Sequence, residues 1–138
     1  PRKSPDQPDH ERRAILFLRR LDRSGDRWET HRIAVPPGTA QPKGVAVGDL
    51  DGDGRNELVL TSTGAEGDLI GTYYLKYRAS PRDPVWQAVN IAGAPGIKYD
   101  VVHLIDLDGD GDLDVLTNDE KENGGGLGVV WYENPHRP

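Results

Sequence analysis

Two copies of one acidic motif, 57 residues apart, constrain this chain more than any other feature: Asp49-Leu-Asp51-Gly-Asp53-Gly54-Arg-Asn-Glu57 and Asp106-Leu-Asp108-Gly-Asp110-Gly111-Asp-Leu-Asp114. Each places carboxylates at positions 1, 3, 5 and 9 and a glycine at position 6. Alternating carboxylates on a tightly curled backbone surround a hard cation from one side, and Ca²⁺ takes about 6–8 oxygen ligands. Glycine permits the sharp turn that a Cβ obstructs. A solvated Asp-Gly hairpin turn accounts for one such segment, but it needs one aspartate, not four acids at alternate positions, and not the same set twice. The predicted ligands are therefore Asp49, Asp51, Asp53 and Glu57 in the first loop and Asp106, Asp108, Asp110 and Asp114 in the second. A backbone carbonyl from Arg55 or Asp112 completes the set. Two Ca²⁺ sites are expected.

An EF-hand is the obvious rival. It requires a bidentate Glu at position 12 and flanking helices, whereas position 12 is Leu60 in one copy and Thr117 in the other. The segments on either side, Val45-Ala-Val47 with Glu57-Leu-Val-Leu-Thr61 and Val101–Ile105 with Asp114–Thr117, are short and rich in β-branched residues, so they read as strands.

The period extends beyond the loops. Gly71–Leu75 aligns with Gly128–Tyr132 at the same offset, and Ile15–Leu18 aligns with Thr72–Leu75, so a third, partial copy begins the chain. Trp28, Ile33-Ala34 and Pro37-Gly38 match Trp86, Ile91-Ala92 and Pro95-Gly96 at an offset of 58, a one-residue slip. One full unit carries four strand candidates: Val45–Val47, Glu57–Ser62, Thr72–Arg78 and Trp86–Ile91. Four short strands per repeat, separated by Gly, Pro and Asp clusters, describe a blade of a β-propeller. No window has apolar residues at helical spacing, so the expected fold is all-β with almost no helix.

With these residues in hand, Val45–Val59 and Leu104–Val115 resemble the FG-GAP/VCBS repeat. Val129-Val-Trp-Tyr-Glu-Asn134 is similar to the outer strand of VCBS-type bacterial repeats, and Trp28–Ile33 to their closing strand. The resemblance runs from about Ala14 to Asn134. It implies blades of a calcium-stabilised propeller of the kind found in integrin α-subunit heads and fungal propeller lectins. The literal Gly93-Ala-Pro95 falls out of register with the family's Gly-Ala-Pro and is read as coincidence. The loop of the third copy would precede residue 1, so no third metal site is assigned.

These readings divide the chain into a linker or tail at residues 1–13 and a propeller segment at 14–138, with a partial blade at 14–34, a full blade at 44–92 and a partial blade at 101–134. A closed propeller needs about 4–8 blades, and 138 residues at this period supply about 2.4. The expectation is a piece of a longer protein, ahead of a protomer that closes a ring with other copies. Open blade edges make self-association an expected hazard.

The formal charge of −6 has a local origin, because nine of the 23 acids occupy the two loops, and two Ca²⁺ would bring it to about −2. Lys and Arg are scattered, with Arg2-Lys3, Arg12-Arg13 and Arg19-Arg20 as doublets and no basic stripe, so nucleic acid is not an expected partner. No stretch is long and apolar enough to span a bilayer as a helix. There is no Cys, hence no thiol nucleophile. No Ser sits in a Gly-x-Ser-x-Gly context, and His10, His31, His103 and His136 lack zinc-site spacing. Low-affinity calcium sites suit extracellular modules. The expectation is a non-enzymatic binding or scaffold module, extracellular, periplasmic or on the cell surface, with structural calcium and a protein or glycan ligand. The alternatives are a carbohydrate-binding lectin propeller and a non-catalytic region of a secreted polysaccharide-degrading or redox enzyme. The equivalent aromatics Phe17, Tyr74 and Trp131, and the pair Trp28 and Trp86, are expected in the packing between blades. Tyr73, Tyr77 and Tyr132 are the less constrained candidates for ligand contact. Asn118–Gly126 reads as a polar connecting loop.

Overall fold

Nine strands carry the chain in a computed structural model that describes residues 14–92, 97–120 and 124–135. The tail read at 1–13, the Gly93-Ala-Pro95 triplet and the centre of the polar loop lie outside the described residues. The strands are β1 (Ala14–Arg20), β2 (Trp28–Ala34), β3 (Gln41–Gly48), β4 (Glu57–Thr63), β5 (Thr72–Lys76), β6 (Gln87–Asn90), β7 (Tyr99–Ile105), β8 (Asp114–Asp119) and β9 (Gly128–Tyr132). They form three antiparallel meanders of two, four and three strands, β1-β2, β3-β4-β5-β6 and β7-β8-β9. The described residues contain no α-helix and no closed ring. The chain is all-β, as expected.

The 57-residue period is reproduced bond by bond. Val45 pairs with Leu60 and Val102 with Thr117; Gly48 pairs with Glu57 and Ile105 with Asp114; Leu58 pairs with Leu75 and Val115 with Tyr132. Each pair is its counterpart shifted by one period. Even the irregularity repeats, since a register shift between Pro42 and Val45 recurs between Tyr99 and Val102. Bulges accommodate a residue that cannot donate to the ladder, which suits Pro42. Because a one-residue slip would send every side chain to the opposite face, this agreement fixes which residues meet the core.

The chain divides into two units. The first joins residues 14–37 to Tyr77–Gln87. In it the 58-residue slip is visible in hydrogen bonds: the Trp28 indole N–H donates to Gly25 O at 2.7 Å and the Trp86 indole N–H to Asp83 O at 3.0 Å. Carboxylates tie both preceding turns, Asp22 accepting from the Gly25 and Asp26 amides and Asp83 from those of Ala79 and Ser80. That second turn ends β5 at Lys76, two residues short of the stretch expected from sequence.

The second unit, Gly38–Lys76 with residues 88–135, holds both acidic loops. Its core is a cluster of Leu50, Val59, Val102 and Val115, with Ala46, Tyr74, Ile91, Leu104, Leu113 and Tyr132 packed around it. Leu50 is the apolar residue inside the first loop, and Leu113 lies inside the second, so the loops are anchored through their leucines. Close approach of the two sheets needs Gly71: a Cβ there would sit 2.4 Å from Tyr99 Cε2. Of the expected packing aromatics, Trp86 is buried, but Trp28 and Trp131 are 53% and 43% exposed. Trp131 lies on β9, the last strand of its sheet, and the Trp28 ring is held by its turn instead of a core. Tyr73, read as a ligand candidate, is fully buried on β4's partner β5 and is unavailable to a ligand.

Candidate metal-binding loops

Both acidic segments are connections between the first two strands of a sheet, β3 to β4 and β7 to β8. Their backbones curl alike. Gly52 and Gly54 have φ of 71° and 84°, and Gly109 and Gly111 have 83° and 101°, a region that L side chains avoid. The Gly54 amide donates to Asp49 Oδ2 at 2.9 Å and the Gly111 amide to Asp106 Oδ2 at 3.2 Å. Across each loop, the acid at position 9 accepts from the amide at position 2: Leu50 N–H to Glu57 Oε2 at 2.8 Å, and Leu107 N–H to Asp114 Oδ2 at 3.1 Å. At the seventh position, the Arg55 and Asp112 amides donate to Asp53 Oδ1 and Asp110 Oδ1, at 2.9 and 3.1 Å.

The carboxylates converge in both loops, though not identically. In the first, oxygens of Asp49, Asp51 and Glu57 lie within 4.8 Å of one another; in the second, those of Asp106, Asp108 and Asp110 do. Glu57 is fully buried, and its Oε1 has no hydrogen-bond partner, nor do Asp49 Oδ1 and Asp51 Oδ1. A buried charged oxygen without a partner is costly. Buried carboxylate oxygens without partners, on three residues whose carboxylates lie this close, are what a divalent cation satisfies, so the residues present fit Ca²⁺. Burial pushes the Glu57 carboxyl above its ordinary range, and the nearby Asp51 charge adds to the rise, against the Leu50 and Asp51 amides.

Two expected ligands have other partners. Asp53 faces Lys76, whose Nζ lies 2.7 Å from its Oδ2 and also contacts Asp51 Oδ2. Lys76 holds the Asp53 carboxyl below the usual carboxylate range, helped by the Arg55 amide. Asp114 is fully buried and stands outside the second cluster: its Oδ2 takes the Leu107 amide, and its Oδ1 takes the Asn134 amide at 2.8 Å. Burial pushes this carboxyl up, but the Asn134 and Leu107 amides and the Trp131 indole outweigh it and hold it below the ordinary value.

Three participants went unrecognised in the sequence. Lys76 is the first. Asn134 is the second, and its side-chain amide donates to Leu50 O at 2.7 Å and to Leu113 O at 3.1 Å, joining one loop to the other. Asp119 is the third: at the end of β8 its carboxylate accepts from the amides of Ile97, Lys98 and Leu127, bracing what reads in sequence as a plain polar connection. One signal was available, since Lys76 and Glu133 occupy equivalent repeat positions with opposite charge.

Residues 43–70, which run from within β3 through the first loop and β4, match the family model of the FG-GAP repeat. The match covers about a fifth of the chain and does not distinguish the VCBS subtype. This segment is thus similar to an FG-GAP repeat, and the antiparallel sheets are consistent with propeller blades. No curated protein and no solved structure matches the chain.

Proposed function

We propose that this chain is a calcium-stabilised propeller-repeat segment of a secreted or surface protein, non-enzymatic, in which the metal is structural and the blades serve as a binding scaffold. The observation that carries the calcium reading is the fully buried Glu57, whose Oε1 has no hydrogen-bond partner and whose carboxylate has an oxygen within 4.8 Å of oxygens of Asp49 and Asp51. In the first loop Asp49, Asp51 and Glu57 would hold the ion, and in the second Asp106, Asp108 and Asp110, with the carbonyls of Arg55 and Asp112 as the backbone ligands. Asp114, already accepting two amides, acts as the brace of its loop. When bound, Ca²⁺ converts mutual repulsion among the carboxylates into coordination and pins the turn between the first two strands of each sheet.

The extracellular reading follows from the ligand count. Loops open to solvent on one side bind in the range of about 10⁻⁴–10⁻³ M, typical of extracellular modules. No described helix is long and apolar enough to cross a membrane. A calorimetric calcium titration tests the reading. Binding is expected, with Asp51→Ala abolishing uptake at the first loop alone and Asp108→Ala at the second alone. A wild-type chain that takes up no calcium at several times about 1 mM would end the metal reading.

A further inference from the structure

One residue touches both acidic loops. Asn134 lies two residues beyond β9, and its side-chain nitrogen donates to Leu50 O at 2.7 Å and to Leu113 O at 3.1 Å. Both partners are carbonyl oxygens, so only the amide nitrogen can serve. Leu50 is the second position of the first loop, between Asp49 and Asp51, and its own N–H donates to Glu57 Oε2 at 2.8 Å. The three carboxylates that converge there are thus the two neighbours of Leu50 and the acceptor of its amide. Leu113 is the eighth position of the second loop and adjoins Asp114, whose Oδ1 accepts the Asn134 backbone N–H at 2.8 Å. The side chains of Leu50 and Leu113 belong to one apolar cluster. Pro135 restricts the backbone of Asn134 to extended conformations, so the bridging side chain projects from a stiffened segment.

We propose that Asn134 is the positioning residue of both calcium loops and couples them, so that an ion in one loop tightens binding in the other. This inference rests on the calcium reading of the loops. Its physical basis is shared ordering. Without metal, the carboxylates of each loop repel one another and work against the closed turn. An ion that closes either loop sets a leucine carbonyl in place and holds the Asn134 amide against it. The other loop then closes onto a donor that is already positioned, and the rotamer freedom of Asn134 is lost once for two sites. One net hydrogen bond gained in this way corresponds to about fivefold in affinity. By linkage the effect is the same in both directions. Repulsion between two bound ions opposes the coupling but does not pass through Asn134, so the two effects separate when the side chain is removed.

Calcium titrations of the full chain test this, with the Gly54 and Gly111 amide resonances reporting the two loops separately, since those amides donate to Asp49 and Asp106. Asp108→Ala and Asp51→Ala empty one loop at a time. Emptying the second loop should leave the first about fivefold weaker than in the wild type, and emptying the first should do the same to the second. Asn134→Ala removes the bridging amide and keeps the backbone N–H that Asp114 accepts; the residue is partly exposed, so no sealed cavity results. In that variant both loops should bind more weakly, and adding Asp108→Ala should no longer weaken the first. A merely structural Asn134 would lower both affinities and leave the cross-loop effect intact. First-loop binding that is the same in the wild type and Asp108→Ala would overturn the inference and leave the calcium reading standing, as would a cross-loop effect that survives Asn134→Ala. No uptake by the wild type would remove the calcium reading and this inference together.

Discussion

Asp114→Ala is expected to destabilise the protein by about 2–6 kcal/mol in urea unfolding with chelator present, the largest effect of any loop substitution. The Asp114 carboxylate is fully buried and accepts one amide on each oxygen, from Leu107 inside its own loop and from Asn134 beyond β9. Alanine removes the charged acceptor of both amides, and a hydrogen bond to a charged group contributes about 1.5–3 kcal/mol. A domain has only about 5–15 kcal/mol to lose. Asp114→Asn keeps one acceptor oxygen and should cost clearly less. The effect must appear without calcium, because the contacts are to protein amides. Its pH dependence has a defined sign. The folded carboxyl lies below its ordinary range, so the contribution is complete above the unfolded value and is lost as pH falls through the depressed folded one. The gap between wild type and Asp114→Ala should therefore close in strong acid. A gap that persists there would mean that Asp114 acts by packing and not as a charged acceptor.

Calcium should raise the melting temperature of the wild-type chain by roughly 15–20 °C over its value in chelator when both loops are filled. A ligand that binds only the folded form at a hundredfold above its dissociation constant adds about 2.7 kcal/mol per site. In the folded state without metal, the carboxyl of Glu57 is pushed up by burial and by Asp51. That group stabilises the metal-free fold fully only below its unfolded value, and the contribution disappears as pH rises through the raised folded value. Coordination requires the ionised form. The calcium-dependent increment should therefore widen as pH rises from the ordinary glutamate range towards neutrality. Differential scanning calorimetry at several pH values, with calcium and with chelator, measures this directly. An increment that shrinks with rising pH would contradict the assignment of Glu57 to the site.

Most of the fold was legible because it is periodic. The paired acidic loops, the β-branched flanks and the aligned Gly71–Leu75 and Gly128–Tyr132 segments foretold strands whose register the structure repeats residue for residue. Local pattern carries that information, since side chains alternate and turns have fixed glycine needs. Lys76 and Asn134 were not legible for the opposite reason. Lys76 reaches an aspartate 25 positions back, and Asn134 reaches a carbonyl 84 positions back. Neither contact repeats, since Glu133 replaces Lys76 and Tyr77 stands at the position equivalent to Asn134. The position-9 acids show how far a motif carries. Glu57 keeps an oxygen free for the cluster, whereas the shorter Asp114 has both oxygens engaged by amides. Spacing alone treats the two as equivalent; the backbone that meets them decides otherwise. Tyr73 was misjudged because strand alternation does not reveal that β5 is covered on both faces.

The amide NMR spectrum of the wild-type chain, recorded in chelator and then in about 5 mM calcium, tests the central claim most directly. The Gly54, Gly109 and Gly111 amides all donate to loop carboxylates, so coordination of those carboxylates must change their environment. The account predicts that these three resonances move on calcium addition, while Gly25 and Gly38 stay in place. Superimposable spectra at the loop glycines would show that neither acidic loop holds the ion, and would contradict it.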